Sequence, residues 1–498
     1  MDSIWSRTCQ LREREPLPGD RKTEVAVIGG GMAGVLIASA LQEAGARVVV
    51  LEADRIAGGQ TRNTTAKITS QHGMIYGTLK QTLGEERARQ YALANEAALA
   101  EYRRIIFQNG IDCDFEEQSA YVYGGGAAAL RAEAACAAAL GLPAAFTEET
   151  GLPFPAAGAV RFDRQAQFHP LKFLQAVAEP LTIYEKTSVQ TVEGHSLVTE
   201  RGTVTAEKIV FACHFPFVNF PGLYFARMHQ ERSYVLALDN APFREGMWVY
   251  AEGEKNPYSF RRWNDLLLLG GGGHRCGENS AGGRYEELRQ KAGEWFPGCR
   301  EVARWSAQDC MTADGVPYIG GFAAGRPDWY VATGFRKWGM TTAMVSAMLL
   351  RDMICGEDNP YGEVFRPGRF DPETAAGIAE EGGQAVKSLA RRFFQIPAEQ
   401  AKNLPPDHGG VVFLEGEKLG VYKDQDGNLY PVDIRCPHLG CQLEWNPDEE
   451  SWDCPCHGSR FDRFGGLISG PAQRDLETAE KGKRIKRNQN RKGRQDNG

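Results

Sequence analysis

Residues 24–52 constrain the fold of this 498-residue chain more tightly than any other stretch. Glu24-Val-Ala-Val-Ile28 is a short β-type run, and Gly29-Gly-Gly31-Met-Ala-Gly34 follows at once. An Ala/Leu-rich helical stretch then reaches about Ala44, and a second strand, Arg47-Val-Val-Val-Leu51, ends on Glu52. Strand, glycine turn, helix and strand in this order make a βαβ unit of an α/β layer. Gly29, Gly31 and Gly34 fit G-x-G-x-x-G. The first glycine permits the tight turn, the second lets the backbone approach a pyrophosphate, and the third lets the helix pack on the strand. The helix start presents free N–H groups to an anion. Glu52 lies 18 residues past Gly34, where a carboxylate meets ribose hydroxyls. The motif alone does not separate NAD from FAD.

A chain of this length predicts two or three domains. A long amphipathic helix is expected over 84–107, with Tyr91, Leu93, Ala94, Leu99 and Tyr102 among its apolar positions. Residues 181–275 read as largely β, including runs at 208–212 and 265–270. Tyr330–Gly334 reads as another strand, and a helix follows from about Thr342 to Ile354. Arg366 to about Pro406 reads as a linker with a helical stretch at Ala385–Phe394. Strands resume at 411–414 and 420–422, with an Asp426-Gly427 hairpin turn. No internal repeat is evident. No run approaches the ~20 apolar residues that span a bilayer, and the first twenty residues lack a signal-peptide core. The expected location is the cytoplasm. Residues 481–498 hold eight Lys/Arg against one Asp, a charge of +7, so the rest of a chain of net −7 carries −14. The tail is expected to be disordered, and an acidic body argues against nucleic acid as the partner.

Twelve cysteines in so long a chain do not form a disulfide scaffold. Eight are scattered between Cys9 and Cys355. Four crowd into Cys436-Pro-His438-Leu-Gly-Cys441 and Cys454-Pro-Cys456-His457-Gly-Ser459. Two thiolates and two imidazoles on separate loops suit a Rieske [2Fe–2S] centre, and Cys-x-His with Cys-x-x-His is also a tetrahedral zinc set. A structural zinc site needs no extra cysteine in each loop. The two strings closely resemble the Rieske family. That resemblance implies Cys436 and Cys454 on one iron, His438 and His457 on the other, and a Cys441–Cys456 disulfide across the loops. It also makes Gly470-Pro471-Ala472 a covering proline loop. The extra cysteines resemble the cytochrome-complex type rather than ring-hydroxylating oxygenases, whose second iron site has no counterpart among the nine histidines. Ser459 is positioned to donate to a bridging sulfide. Phe461 stands where the respiratory type has a tyrosine.

Over about 24–355 the chain resembles the FAD-dependent D-amino-acid oxidase-like superfamily. Gly58-Gly59-Gln-Thr-Arg62-Asn63-Thr-Thr-Ala-Lys67 resembles the family's segment near the flavin, and Val189 its adenosine contact. Asp314-Gly315-Val-Pro317-Tyr318-Ile-Gly320 and Thr333-Gly334-Phe-Arg336-Lys337-Trp338-Gly339-Met340-Thr341 match its late blocks. The resemblance implies FAD, bound by Gly29, Gly31, Gly34, Glu52, Arg62, Asn63, Val189, Gly334, Gly339, Met340 and Thr341. The fold expected is an α/β (α+β) FAD-binding fold of the DAO/glutathione-reductase type with a β-rich substrate part, followed by a small all-β Rieske domain. Residues 1–365 form the flavoenzyme (FAD-binding parts about 22–75, 181–215 and 305–355; substrate part about 76–180 and 216–304). A linker covers 366–406, the Rieske domain 407–476 and a basic disordered tail 477–498.

Relatives that oxidise amino acids carry a carboxylate-binding arginine ahead of the Asp-Gly-x-Pro block, and Asp309 aligns there. A carboxylate repels a carboxylate but holds an ammonium group, which shifts the expected substrate toward amines. A turn cap or a pairing with Arg304 is the alternative role for Asp309. Asp309, Lys337 and Trp338 are the expected catalytic residues. Arg261, Arg262 and Arg275 are further anion-binding candidates, and His169 and His214 candidate imidazoles. The expected activity is oxidation of a small amine or amino-acid-like C–N substrate, with electrons passing from flavin to the cluster and then to an unidentified acceptor. A reductase fed through the Rieske domain and a redox sensor without turnover are the alternatives.

Overall fold

The structure is a computed structural model describing residues 2–255, 257–369, 383, 399–400, 403–414, 417–480 and 483–485. It forms two compact units. The first comprises Met1–Gly273 and Arg284–Ala379, the second His274–Gly283 and Glu380–Gly498.

The first unit is built on two sheets. In the eight-stranded sheet, Arg21–Ile28 pairs in parallel with Val48–Leu51 on one side and Gly202–Phe211 on the other. Gly202–Phe211 continues in parallel to Trp329–Thr333, which pairs antiparallel with Tyr318–Gly321. Strands covered on both faces read as unbroken apolar runs, and Val48–Leu51 is buried throughout. Helix Met32–Glu43 returns the chain between the first two strands, and Gly339–Cys355 packs against that helix.

The nine-stranded sheet runs Arg300–Thr312, Met228–Asp239, Leu266–Arg275, Ser259–Trp263, Met247–Tyr250, Glu116–Tyr123, Ala159–Gln167 and Lys67–Ile68, with Ala144–Thr147 beside Ala159–Gln167. Its first two strands pair along their whole length. Side chains alternate across a strand. One face therefore carries buried Gln230, Arg232, Gln308 and Cys310, and the other half-buried His229, Glu231, Ala307 and Asp309. That half-open face is where chemistry can be placed.

The second unit has a six-stranded sheet (Glu399–Gln400, His408–Leu414, Glu417–Lys423, Leu429–Val432, Thr478–Glu480, Lys483–Ile485) and a four-stranded one (Glu444–Asn446, Ser451–Asp453, Arg460–Asp462, Leu467–Ser469). Asp424 closes the Asp426-Gly427 turn by accepting the Asn428 N–H at 2.7 Å. Leu443, Trp452 and Phe461 pack around the four clustered cysteines.

The predicted elements largely appear, including Glu85–Gln108 for the helix at 84–107. Four boundaries move. The helix expected from Thr342 starts at Gly339, because Tyr102 Oη donates to the Met340 carbonyl (2.8 Å) and Thr341 Oγ1 to the Thr69 carbonyl (2.8 Å), which fixes the first turn. Arg300–Thr312 is one strand of the nine-stranded sheet, so a division at 304/305 falls inside it. The linker is shorter than 366–406: Arg369 is 8% exposed and bonded to Asp314, and Glu399–Gln400 pairs with His408–Leu414. The tail does not begin at 477, since Thr478–Glu480 and Lys483–Ile485 form an antiparallel pair. Backbone pairing needs no apolar side chains, which composition alone does not register. The stretch Ala385–Phe394 and the tail beyond 485 lie outside the described residues. Among the described residues no helix is long and apolar enough to cross a membrane.

Candidate functional site

The glycine turn leaves no room for side chains. Gly29 has φ +110°, and a Cβ there would sit 2.5 Å from the Ala212 carbonyl oxygen. A Cβ on Gly34 would lie 1.8 Å from the Gly29 carbonyl oxygen. Gly31 caps helix Met32–Glu43 without any side-chain bond, so the backbone faces whatever lies before the helix. Glu52 closes the cradle, accepting N–H groups from Gly30 (2.7 Å) and Asp54 (2.8 Å). Burial raises its carboxyl pKa. Thr61, absent from the sequence-based set, accepts the Met32 N–H at 2.9 Å and ties the next loop to the helix start. These features fit a dinucleotide: a cradle open to backbone only, with a carboxylate at the end of the second strand.

The turn Gln60–Asn63 is tied to the strand that carries Asp309. Gln60 Oε1 accepts the Gln308 N–H at 2.7 Å, and the Asn63 carbonyl accepts Trp305 Nε1–H at 2.8 Å. Arg62 on this turn is exposed, whereas the Val189 side chain is packed in the core, leaving only its backbone for a ligand. Gly334 has φ +72°, and a Cβ there would meet Thr312 Cγ2 at 2.3 Å. The helix Gly339–Cys355 also lacks a side-chain cap. Its first N–H groups and its dipole favour negative charge at its start. Trp338, the residue before it, stacks on His72 (4.8 Å, 14°). Burial first of all lowers the His72 pKa to about 3. The ring is neutral, with Nε2–H donating to the Thr69 carbonyl (2.8 Å) and Nδ1 accepting from Tyr91 Oη (2.6 Å).

On the half-open face, Asp309 stands directly across from Glu231. Lys337 Nζ lies 3.2 Å from Glu231 Oε2, and His229 Nε2 3.6 Å from Glu231 Oε1. The structure thus brings two of the three predicted catalytic residues together and adds Glu231, which the sequence did not single out. The two carboxyls are driven apart. Burial pushes Asp309 up to about 7, with Lys337 opposing and Glu231 adding to the rise. His229 and Lys337 bring Glu231 down to about 2 against its own burial. Burial pulls the Lys337 ammonium down, but Tyr250, Glu231 and Asp309 outweigh it and hold its pKa above the ordinary value. Near neutral pH, Glu231 is ionised and Asp309 exchanges a proton, the separation expected of an acid–base pair.

Other candidates take structural roles. Arg304 pairs with Glu301 (3.0 Å) and, by strand alternation, faces away from Asp309. Arg261 is fully buried and donates to the carbonyls of Thr65, Ala66 (2.9 Å) and Phe168 (3.0 Å), which shapes the loop ahead of Lys67. Arg262 donates to the Asn264 carbonyl at 3.3 Å, and Arg275 lies in the second unit. His169 caps helix Pro170–Ala178 and packs on Trp5 and Trp263. His214, at φ +68°, offers its carbonyl to Thr333 Oγ1 (2.5 Å), and burial lowers its ring pKa to about 4.

In the second unit the two cysteine–histidine loops close in the same way. Cys436 N–H donates to the Cys441 carbonyl (2.9 Å) and Gly440 N–H to the Cys436 carbonyl (2.9 Å). Cys454 N–H donates to the Ser459 carbonyl (2.8 Å) and Gly458 N–H to the Cys454 carbonyl (3.0 Å). Gly440 and Gly458 both have positive φ, +79° and +75°. The pair is a short structural repeat that differing histidine positions hide in the sequence. Cys441 and Cys456 are disulfide-bonded, so the close trio of Cys441, Cys454 and Cys456 offers only one free thiol. The remaining donors fit a cluster. The Cys436 thiol is held low by a hydrogen bond from Cys454, with the His438 N–H and Ser459 hydroxyl assisting against burial. The rings of His438 and His457 stand 4.9 Å apart. Ser459 Oγ also accepts the Ala472 N–H (3.0 Å), tying the proline loop to this loop.

Phe461 is fully buried beside these cysteines and brings no hydroxyl. Hydrogen bonds to cluster sulfurs raise the potential. Phe461→Tyr is therefore expected to raise the midpoint by on the order of 40 mV, one hydrogen bond of about 1 kcal/mol for one electron. A redox titration monitored by EPR checks this, and an unmoved midpoint would remove Phe461 as a determinant.

Residues 24–353 match the family described as FAD dependent oxidoreductase, DAO. Residues 395–480 match the Rieske [2Fe-2S] domain. A protein of Bacillus subtilis (strain 168) named for a Rieske 2Fe-2S iron-sulfur centre, YhfW, is 35% identical over 493 residues, covering 95% of this chain and 97% of its own. The cytochrome b6-f complex iron-sulfur subunit 2 of Trichormus variabilis is 46% identical over 116 residues, 23% of this chain and 64% of its own. Among solved structures, glycine oxidase from Geobacillus kaustophilus superposes with TM-score 0.56 at 20% identity, covering 70% of this chain and all of its own. L-proline dehydrogenase from P. horikoshii gives 0.58 at 17%, covering 71% and 98%. At these identities the likeness concerns the fold.

Proposed function

Because this chain belongs to the FAD-dependent oxidoreductase (DAO) family and ends in a Rieske [2Fe–2S] domain, we propose that it oxidises a small amine and delivers the electrons through the Rieske cluster to a further acceptor. FAD, when bound, accepts a hydride, and a [2Fe–2S] cluster accepts one electron at a time. The residues contribute binding, proton handling and electrostatics.

The observation that carries the reading is the facing pair Asp309 and Glu231 with Lys337 paired to Glu231. With Asp309 ionised, the cluster sets two carboxylates against one lysine ammonium. It suits an ammonium group and disfavours a substrate whose recognition depends on a carboxylate. Hydride loss from the carbon next to nitrogen needs the neutral amine. Asp309, with a pKa of about 7, takes the ammonium proton, leaving the nitrogen lone pair to assist C–H cleavage. Glu231 stays ionised and anchors Lys337. The uncapped start of Gly339–Cys355 stabilises negative charge that develops on the acceptor side, and the His72 stack fixes Trp338. We extend the proposal to a cytoplasmic location: Cys9, Cys113, Cys136, Cys213, Cys299 and Cys355 carry free thiols, the last of them exposed, as in a reducing compartment.

Asp309 is charged above its pKa, so kcat/KM for amines is expected to rise with pH through about 7. Asp309→Asn is expected to lower kcat/KM about 100-fold, the lower end of the range for general acid–base groups, and to erase that ascending limb. Full-rate amine oxidation by the variant, or an unaltered limb, would sink the assignment.

A further inference from the structure

We propose that the segment His274–Gly283 is a strap that holds the second cluster loop and sets the rate of electron transfer between flavin and cluster, an inference that rests on the electron path proposed above. By sequence the segment lies inside the flavoenzyme part, running from the end of strand Leu266–Arg275 to the start of helix Arg284–Trp295. By packing it belongs to the Rieske unit. The chain therefore passes into the second unit at 273/274 and returns to the first at 283/284.

The packing is specific. Gly277 has φ +72°, and a Cβ there would lie 2.7–2.8 Å from the Cβ, Cα and N of Pro455, the residue between Cys454 and Cys456. Gly282 has φ +65°, and a Cβ there would lie 2.6 Å from Pro447 Cγ. Asn279, 4% exposed, donates from Nδ2 to Asn446 Oδ1 (3.0 Å) and Asp448 Oδ2 (2.9 Å). Gly283 N–H donates to Asp448 Oδ1 (3.2 Å). Asn446 in turn donates to Asp453 Oδ2 (3.0 Å), next to Cys454. Two glycines that admit no side chain and a buried asparagine bonded to Asn446 and Asp448 are more than a surface loop requires. A domain joined by one linker samples orientations, and transfer waits on encounter. A segment fastened at both ends restricts that search. Asn279 is in this sense a positioning residue.

The test uses full-length protein carrying FAD and cluster. Asn279→Ala and Gly277→Val are compared with the wild type in two measurements: hydrogen exchange over Cys454–Ser459, and the rate of cluster reduction after anaerobic deazaflavin photoreduction of the flavin. The expected result is faster exchange and at least tenfold slower cluster reduction, with the rate of flavin photoreduction and the cluster EPR signal unchanged. If Gly277→Val loses its cluster, Asn279→Ala decides. Unchanged exchange overturns the strap, and faster exchange with an unchanged transfer rate overturns its role in transfer. A wild type whose reduced flavin never reduces the cluster defeats the electron path instead, and the exchange measurement still judges the strap.

Discussion

Gly34→Val is expected to yield protein that keeps its cluster but holds no FAD. Even a methyl group at position 34 would lie 1.8 Å from the Gly29 carbonyl oxygen, far inside van der Waals contact. Helix Met32–Glu43 must then move off the turn, and the N–H groups at its start move with it. Overpacking of this kind costs about 1–3 kcal/mol, and at about 1.4 kcal/mol per factor of ten the affinity falls on the order of 100-fold. The same displacement removes the anion site of the turn. Flavin content after purification and an FAD titration measure the loss, and an intact Rieske EPR signal shows that the second unit has folded. Wild-type flavin content would take Gly34 out of the FAD site.

The second large effect is expected from Cys454→Ser. Cys454 is fully buried, contacts Cys436, and neighbours the disulfide-bonded Cys456. A serine hydroxyl at this place is a poor substitute for a thiolate that must hold iron. The variant should lack the [2Fe–2S] signal while retaining FAD, because no residue of the glycine cradle is altered. Under the proposed direction of flow, an amine still bleaches the flavin anaerobically, but reduction of an added one-electron acceptor falls to background. An undiminished cluster signal would refute the ligand assignment. A wild-type flavin that bleaches only when an electron donor is supplied would reverse the direction of flow.

Much of the site was legible because its chemistry is local in sequence. The turn Gly29–Gly34 needs glycine at fixed spacings for steric reasons, and Glu52 follows at the end of the next strand. The cluster loops are each six residues long, so their donors appear as uninterrupted strings. Asp309 and Lys337 were found through the blocks around them. Glu231 was not, because it lies 78 residues from Asp309 in sequence and only strand pairing sets the two opposite each other. Thr61 was missed for the same reason: its hydroxyl serves a helix start 29 positions earlier. His169 and Arg261 illustrate the converse. Each is a residue type common in active sites, and each is used here to cap a helix or to hold a loop.

By itself, the sequence determined the two cofactors and the order of the two parts along the chain, since these depend on residue type at short spacing. The tertiary structure alone decided which carboxylate stands beside Asp309, which of the two gives up its proton first, and that residues 274–283 pack with the Rieske unit. Those outcomes depend on strand register, burial and long-range hydrogen bonds, which join residues whose separation along the chain carries no pattern.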